Sequence, residues 1–226
     1  MGKFFDALED HHREFIAKQK IYFVATSSLK QGTRVNVSPK GHETLRVIGN
    51  KAFHLDLTGS GAETAAHVAE NGRVTFMLCA FDGAPNIIRL WCNAKVVLAP
   101  NAEEFDQLVK TVFPDWVGHK GLRSIVVADI MQVGSSCGYA VPFFDFVKQR
   151  DTLVSWANKK TDEEIQQYWV DRNSKTIDGL SNLGSEGFDA SARHAAKWIL
   201  PSLQQLLAWS SLVAVGVVIG QRLKAM

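Results

Sequence analysis

A glycine-rich turn between a strand and a short helix is the segment of this chain best suited to bind an anion. The turn is Gly59-Ser60-Gly61, and a helix predicted over 62–70 follows it directly. Backbone N–H groups in such a turn, together with the positive end of the helix dipole, hold phosphate in many proteins. The absence of Gly-Lys-Ser/Thr and of Gly-x-Gly-x-x-Gly excludes a P-loop and a dinucleotide fingerprint. The turn is therefore either another kind of phosphate site or a tight connection without a ligand.

Two strand-like segments carry donors that could line the same ligand. In 34–40 a period of two predicts one polar and one apolar face. The polar face carries Arg34, Asn36, Ser38 and Lys40, and the apolar face carries Val35, Val37 and Pro39. Such a strand is either half-solvated or lines a polar groove. In a second segment Arg89 offers a guanidinium fork suited to a phosphate or to the carbonyl edge of a ring. These three elements offer hydrogen-bond donors but no pair of side chains suited to general acid–base catalysis. They therefore favour binding of a cofactor over proton-transfer chemistry.

Composition excludes several functional classes. The net charge of +2 is small and the basic residues are dispersed, which argues against nucleic-acid binding. Cys79, Cys92 and Cys137 are odd in number and widely spaced, which is typical of reduced thiols in an intracellular protein. His11-His12 has no partner at ligand spacing, so we expect a solvated helix face and no metal site. The N-terminus lacks the apolar region of a secretory signal.

The elements that must position these residues alternate rapidly along the chain. An amphipathic helix is expected over 4–18, and strands with short turns follow up to 133. Asn101 is placed to cap a helix through 112, and 151–173 is expected to be helical. Closely spaced strands with inserted helices predict an antiparallel β-barrel with peripheral helices.

The C-terminal segment has a different character. No charged residue occurs between Trp198 and Gln221, and 206–220 is almost wholly apolar. A helix over the uncharged stretch 198–221 spans about 36 Å, enough for a hydrocarbon core of about 30 Å. The segment is either a tail anchor, which would leave the preceding domain in the cytoplasm, or a buried core helix. We expect a domain over 1–180, a linker over 181–197 and a transmembrane anchor over 198–222.

Several ordered motifs resemble those of the pyridoxamine 5′-phosphate oxidase-like flavoproteins. The resemblance covers about 14–178 and rests on five segments: Ile21-Tyr-Phe-Val-Ala-Thr26, Val35-Asn-Val-Ser-Pro-Lys-Gly41, Leu57-Thr-Gly-Ser-Gly-Ala-Glu-Thr64, Ala66-His-Val-Ala-Glu-Asn-Gly-Arg73 and Asn86-Ile-Ile-Arg-Leu90. Ser136-Cys-Gly-Tyr-Ala-Val-Pro-Phe-Phe-Asp145 resembles a subgroup of that family. The resemblance implies a six-stranded antiparallel split β-barrel, the FMN-binding split barrel, with peripheral helices. To this we add the C-terminal hydrophobic helix expected above.

The resemblance also implies a homodimer that binds FMN at the subunit interface. Carried over by position, the phosphate would be held by Lys40 and by the turn residues Ser60, Gly61, Glu63 and Thr64. The ribityl chain and the isoalloxazine edge would be lined by Asn36, Ser38 and Arg89.

One departure from the family concerns the substrate. Pyridoxamine-phosphate oxidases resemble one another in C-terminal Arg-x-x-Trp and Arg-Leu-x-Pro motifs, whereas this chain has Trp198-Ile-Leu-Pro201 without the arginine. The expected function is therefore an FMN-dependent oxidoreductase tethered to a membrane, with an unnamed substrate. The alternatives are a flavin-binding module without turnover and a genuine pyridoxamine 5′-phosphate oxidase. A phosphate-ester enzyme is disfavoured because no metal cluster or carboxylate pair is predicted.

Overall fold

The computed structural model describes residues 2–99 and 103–182 of this chain. The strands are β1 (Lys3–Phe5), β2 (Tyr22–Ser27), β3 (Val35–Lys40), β4 (Leu45–Ile48), β5 (Lys51–Leu57), β6 (Arg73–Cys79), β7 (Ile87–Leu98) and β8 (Leu122–Ser136). The helices are α1 (Asp10–Lys18), α2 (Glu63–Asn71), α3 (Glu103–Val112), α4 (Thr152–Asn158) and α5 (Asp162–Asn173), with one 3₁₀ turn at Pro114–Trp116.

The strands form one antiparallel sheet in the order β3-β2-β6-β7-β8-β5-β4, and β1 also pairs with β8. The antiparallel β architecture with helices is confirmed, but the expected six strands are wrong, because the described sheet has eight and is not closed. Part of the difference lies at the N-terminus, where 3–5 is a strand and the helix begins only at Asp10. The ring centroids of Phe4 and Trp91 lie 5.9 Å apart in a stacked arrangement. This long-range contact stabilises a strand at Phe4, although the spacing of the neighbouring apolar residues favours a helix.

The Trp91 ring lies against a glycine of the neighbouring strand. Gly134 of β8 pairs with Arg89 of β7, two residues before Trp91. A Cβ at Gly134 would come within 2.6 Å of the Trp91 ring, so only glycine lets the indole lie flat across β8.

Two apolar cores lie on opposite faces of β5, which is buried on both sides. The first core fills the interior of the curved sheet and includes Val24, Phe76 and Leu90. The second core packs Leu55 and its neighbours beneath α3 and α5, where Trp169 is buried. Successive residues of β5 therefore point alternately into the two cores.

The outer face of the β3–β2–β6–β7 part of the sheet carries exposed and half-buried side chains, and Phe4 packs on it at Trp91. Strand pairing aligns Val37, Ala25, Thr75 and Trp91 in one row across it. Val35 and Val37 are 70% and 58% exposed, whereas the polar side of β3 is half-buried. The two-faced strand predicted from sequence is confirmed, with its donors turned inward and its valines turned outward.

The first helix corrects one expectation. His12 is fully buried, and its Nδ1 accepts a hydrogen bond from the Glu9 N–H at 3.1 Å in a capping box at the start of α1. The solvated face expected for His11-His12 is therefore wrong for His12 and correct only for the exposed His11.

The helical region expected over 151–173 is divided in two. Thr161 interrupts it because its side chain accepts from Glu164 N, while the Glu164 carboxylate accepts from Thr161 N.

Among the described residues, no helix is both long and apolar enough to cross a bilayer. The predicted cap at Asn101, most of the predicted linker and the whole tail anchor lie outside the described residues.

Candidate functional site

A cavity of about 590 Å³ lies between the start of β3, the glycine turn before α2, and the segment that follows α5. Its size is within the range usual for small-molecule and cofactor sites. It is lined by Arg34, Val35, Asn36, Val37, Ser60, Gly61, Glu63, Lys175, Thr176, Ile177 and Asp178. Four of the residues predicted from sequence thus meet at one place: Asn36, Ser60, Gly61 and Glu63.

The carbonyl groups of Gly59 and Ser60 in the glycine turn accept hydrogen bonds from buried side chains. The Gly59 carbonyl accepts from Asn173 Nδ2 at 3.0 Å and from the Arg123 guanidinium at 3.3 Å. The Ser60 carbonyl accepts from the same Asn173 nitrogen at 3.3 Å. In a trans peptide the C=O and the following N–H point in opposite directions. The N–H groups of Ser60 and Gly61 are therefore turned away from Asn173, and neither donates a hydrogen bond within the described part of the chain.

The carboxylate of Glu63 lies at the start of α2, where a phosphate would be expected to bind. Its Oε2 accepts from Ala62 N at 3.0 Å, and its Oε1 accepts from Ile177 N at 3.1 Å. The protein's own carboxylate thus satisfies part of the helix N-terminus and ties the segment after α5 to it. The N–H groups of Ser60 and Gly61 remain available for a ligand.

Asn36 connects the cavity to the interior. Its Nδ2 donates to Thr26 Oγ1 and to Thr64 Oγ1, both at 3.2 Å, and its Oδ1 accepts from Ser38 Oγ at 3.1 Å. Behind it, Thr26 Oγ1 lies 3.1 Å from Nδ1 of the buried His67. Thr64 and Ser38 are therefore outside the cavity lining but fix the side chain that lines it.

The two predicted cations lie away from the cavity. Lys40 is four residues beyond Asn36 on the same face of β3, which is about 13 Å along an extended strand. Arg89 lies on β7, where its guanidinium donates to Ser136 Oγ at 3.1 Å. Neither Lys40 nor Arg89 is among the residues that line the cavity.

A buried polar network lies behind the glycine turn, in the interior of the sheet. The Tyr22 hydroxyl lies 2.7 Å from His54 Nδ1, and burial raises the pKa of Tyr22. Burial also lowers the pKa of His54 to about 4, so the imidazole is neutral at pH 7. Burial alone would raise the pKa of Asp56, but the Arg123 guanidinium at 2.8 Å, its hydrogen bond to the carboxylate and the charge of Lys40 act together to lower it. Since Arg123 also holds Gly59, this ion pair supports the turn.

Sequence reasoning missed the wall formed by 175–178. Asp178 accepts from the Arg34 N–H at 2.7 Å and forms an ion pair with the Arg34 guanidinium. That backbone hydrogen bond and the guanidinium charge lower the pKa of Asp178. The sequence carried no local signal for this wall, because glycines and serines in 175–191 indicate only a loop.

Comparison with known proteins gives two sequence matches. The family model for pyridoxamine 5′-phosphate oxidase matches residues 8–137. The pyridoxamine 5′-phosphate oxidase family protein ustO of Aspergillus flavus is 33% identical over 204 residues, with 82% of this chain and 79% of that protein covered.

Solved structures give weaker matches. An FMN-binding protein from Syntrophomonas wolfei is 21% identical with a TM-score of 0.37, covering 54% of this chain and 80% of its own. A protein from Clostridium acetobutylicum related to general stress protein 26 is 10% identical with a TM-score of 0.42, covering 56% and 86%. Both scores are low, and the assignment rests on the two sequence matches. These extend over more than half of this chain, which therefore belongs to the pyridoxamine 5′-phosphate oxidase family.

Proposed function

We propose that this protein binds FMN with the phosphate at the Gly59–Gly61 turn, and that it is an FMN-dependent oxidoreductase. The observation that supports this most directly is the pair of N–H groups at Ser60 and Gly61. Both residues line the cavity, and the carbonyls before these N–H groups are tied to Asn173. Two such N–H groups before a helix N-terminus suit a phosphate.

We expect polar groups beyond the turn to hold and orient the rest of a flavin. Asn36 presents an amide at the cavity, and Ser38 continues the same face of β3. Lys40 follows on that face, and Arg89 is a cation on the sheet. A bound flavin would supply hydride or electron transfer, while these residues bind and orient it.

The charges around the cavity are balanced. Arg34 and Lys175 are matched by Glu63 and Asp178, and each carboxylate accepts a backbone N–H. A phosphate therefore gains its attraction from directed N–H groups and the exposed Lys175 ammonium, and not from a general excess of positive charge.

We also propose that a second copy of the chain covers the outer face of β3, β2, β6 and β7. Val35 and Val37 are each more than half exposed on the strand that also lines the cavity, and the exposed Phe4 packs against Trp91 of β7. Exposed apolar side chains of this kind are typical of an interface, and the family resemblance implies a homodimer. In such a dimer the partner subunit would complete the cofactor site.

A flavin-binding module without turnover is the second candidate. It is favoured by the cavity lining, in which both carboxylates are engaged by N–H groups and no histidine or cysteine occurs among the described lining residues. A genuine pyridoxamine 5′-phosphate oxidase is less favoured, because the arginine of its C-terminal motif is replaced in Trp198-Ile-Leu-Pro201.

The visible absorption spectrum of the purified full-length protein, followed by anaerobic addition of NADPH, tests these possibilities. Flavin bands that bleach with NADPH and return with an electron acceptor support an oxidoreductase. Flavin bands that do not respond to NADPH or to other reduced donors support the module. A protein that binds no flavin after reconstitution with FMN contradicts both.

The apolar run over 206–220 supports one further proposal, that the chain is anchored to a membrane by its C-terminus with the flavin domain in the cytoplasm. Its test is given with the other predictions below.

A further inference from the structure

We propose that Asn173, the last residue of α5, is a positioning residue that sets the phosphate-binding geometry of the glycine turn. The inference rests on the proposed function. Asn173 lies outside the region 8–137 that the family model matches, so the turn and the residue that shapes it come from different parts of the chain.

The side-chain amide of Asn173 bridges two carbonyl groups, an arrangement called the fork below. Asn173 is 2% exposed, and its one amide nitrogen donates to two successive carbonyls, those of Gly59 and Ser60. A side-chain amide has two N–H donors and so can serve both acceptors at once. The reversed amide orientation would direct Oδ1 at two carbonyl oxygens, which fixes the assignment of nitrogen and oxygen.

The oxygen of the same amide indicates that the fork is not merely a packing device. Asn173 Oδ1 is buried and has no hydrogen-bond partner among the described residues. A buried acceptor without a partner is unfavourable, so a leucine of similar volume would suit this position better if only packing were required. The donation to the turn is what the asparagine adds.

The two carbonyls depend on Asn173 to different degrees. The Gly59 carbonyl has a second donor in Arg123 at 3.3 Å, whereas within the described residues the Ser60 carbonyl accepts only from Asn173. Asn173 therefore fixes the Ser60–Gly61 peptide by itself. Because Gly61 permits either orientation of that peptide, loss of the fork lets the carbonyl turn toward the cavity and replaces a donor to phosphate with a repelling oxygen.

The same helix offers a matched control. Trp169 precedes Asn173 by one helical turn, and its Nε1–H donates to Thr58 Oγ1 at 2.8 Å. Trp169→Phe removes a hydrogen bond between α5 and the residue before the turn, but it leaves both carbonyl contacts in place. A loss caused by loosened packing of α5 would appear in this variant too.

The experiment compares FMN and riboflavin binding by the full-length wild-type protein, Asn173→Ala, Asn173→Leu and Trp169→Phe. Riboflavin lacks the phosphate, so the ratio of the two dissociation constants isolates the contact at the turn. We expect both Asn173 variants to lose about ten- to a hundredfold in FMN affinity, with riboflavin affinity within about threefold of wild type. The ³¹P resonance of bound FMN should shift toward that of free FMN, and Trp169→Phe should keep the wild-type ratio.

The contrary outcomes are distinct. If either soluble Asn173 variant keeps the wild-type ratio, or loses FMN and riboflavin equally, the positioning role is wrong. If the wild-type protein binds both ligands equally, the phosphate is not recognised at the turn and the inference fails while flavin binding stands. If the wild-type protein binds neither, the proposed function fails and this inference with it.

Discussion

Arg34 and Asp178, which are 144 positions apart in the chain, form the contact that closes one side of the cavity. The Asp178 carboxylate accepts the Arg34 backbone N–H at 2.7 Å and also pairs with its guanidinium. The contact joins the first residues of β3 to the segment after α5, and both line the cavity.

Asp178→Ala should raise the rate at which FMN dissociates, by about three- to tenfold, because the segment over 175–178 loses its connection to β3. The association rate should change little, and stopped-flow fluorescence measures both. Asp171→Ala, at an exposed position on α5, serves as control. An unchanged dissociation rate in a folded Asp178→Ala protein would show that the contact does not retain the ligand.

Lys40→Ala and Arg89→Ala should each weaken FMN binding, since each removes a charge-assisted contact implied by the family resemblance. Such contacts contribute about 1.5–3 kcal/mol, or about ten- to a hundredfold in affinity. Flavin occupancy after gel filtration and titration of the apoprotein measure the effect. Wild-type occupancy in both folded variants would remove these two residues from the site.

Glu63→Gln should tighten FMN binding by about fivefold, which corresponds to about 1 kcal/mol. The substitution keeps an acceptor for Ala62 N or Ile177 N but removes a negative charge beside the proposed phosphate position. Riboflavin affinity should not change. Weaker binding of FMN would show instead that the carboxylate shapes the site more than it repels the ligand.

The buried His54 should make the protein less stable as pH falls from about 6.5 to about 4. Its pKa is about 4 in the folded state and about 6.5 when unfolded, so in this interval the unfolded chain binds a proton that the folded protein does not. The expected loss over the full interval is about 3 kcal/mol of unfolding free energy. Urea titrations at pH 7 and pH 4.5 should show a smaller difference for His54→Asn than for wild type. An equal difference would mean that His54 does not titrate as stated.

Removal of residues from Trp198 onward should leave a soluble, folded dimer that binds flavin, because both described cores lie before residue 170. The full-length protein should stay in the membrane pellet after carbonate extraction, and the truncated protein should not. Release of the full-length protein to the supernatant would contradict the anchor without affecting the flavin site.

The strands and the glycine turn could be predicted from sequence because their signals are local. The two-faced pattern of 34–40 and the turn at 59–61 each lie within a few residues, and the structure places Asn36 and Gly61 at one cavity. Their neighbours could not be predicted. Asn173 donates to Gly59 across 114 positions, and no local pattern at the end of α5 indicates that its last side chain supports a distant turn.

For the first residues of the chain, a local pattern predicted the wrong element, because Lys3–Phe5 is a strand and not the start of a helix. Phe4 has a spacing that suits a helix, but its ring packs on Trp91, which lies above Gly134. A local pattern could not reveal that β8 extends to Ser136 and accepts a further strand at its edge. Similarly, burial of His12 follows from packing against Phe5 at 4.5 Å and not from the composition of its own helix.

The walls of the cavity come from segments that are far apart in the sequence, and this has a consequence for biosynthesis. β3 and the glycine turn leave the ribosome more than a hundred residues before Asn173 and Asp178, which shape the turn and close the cavity. A nascent chain can form the early strands while the site is still missing one wall. We therefore expect the proposed cofactor to load only after synthesis of residue 178. A polypeptide that terminates before α5 would lack the cavity wall over 175–178 and the Asn173 side chain that supports the turn, even where its sheet had folded.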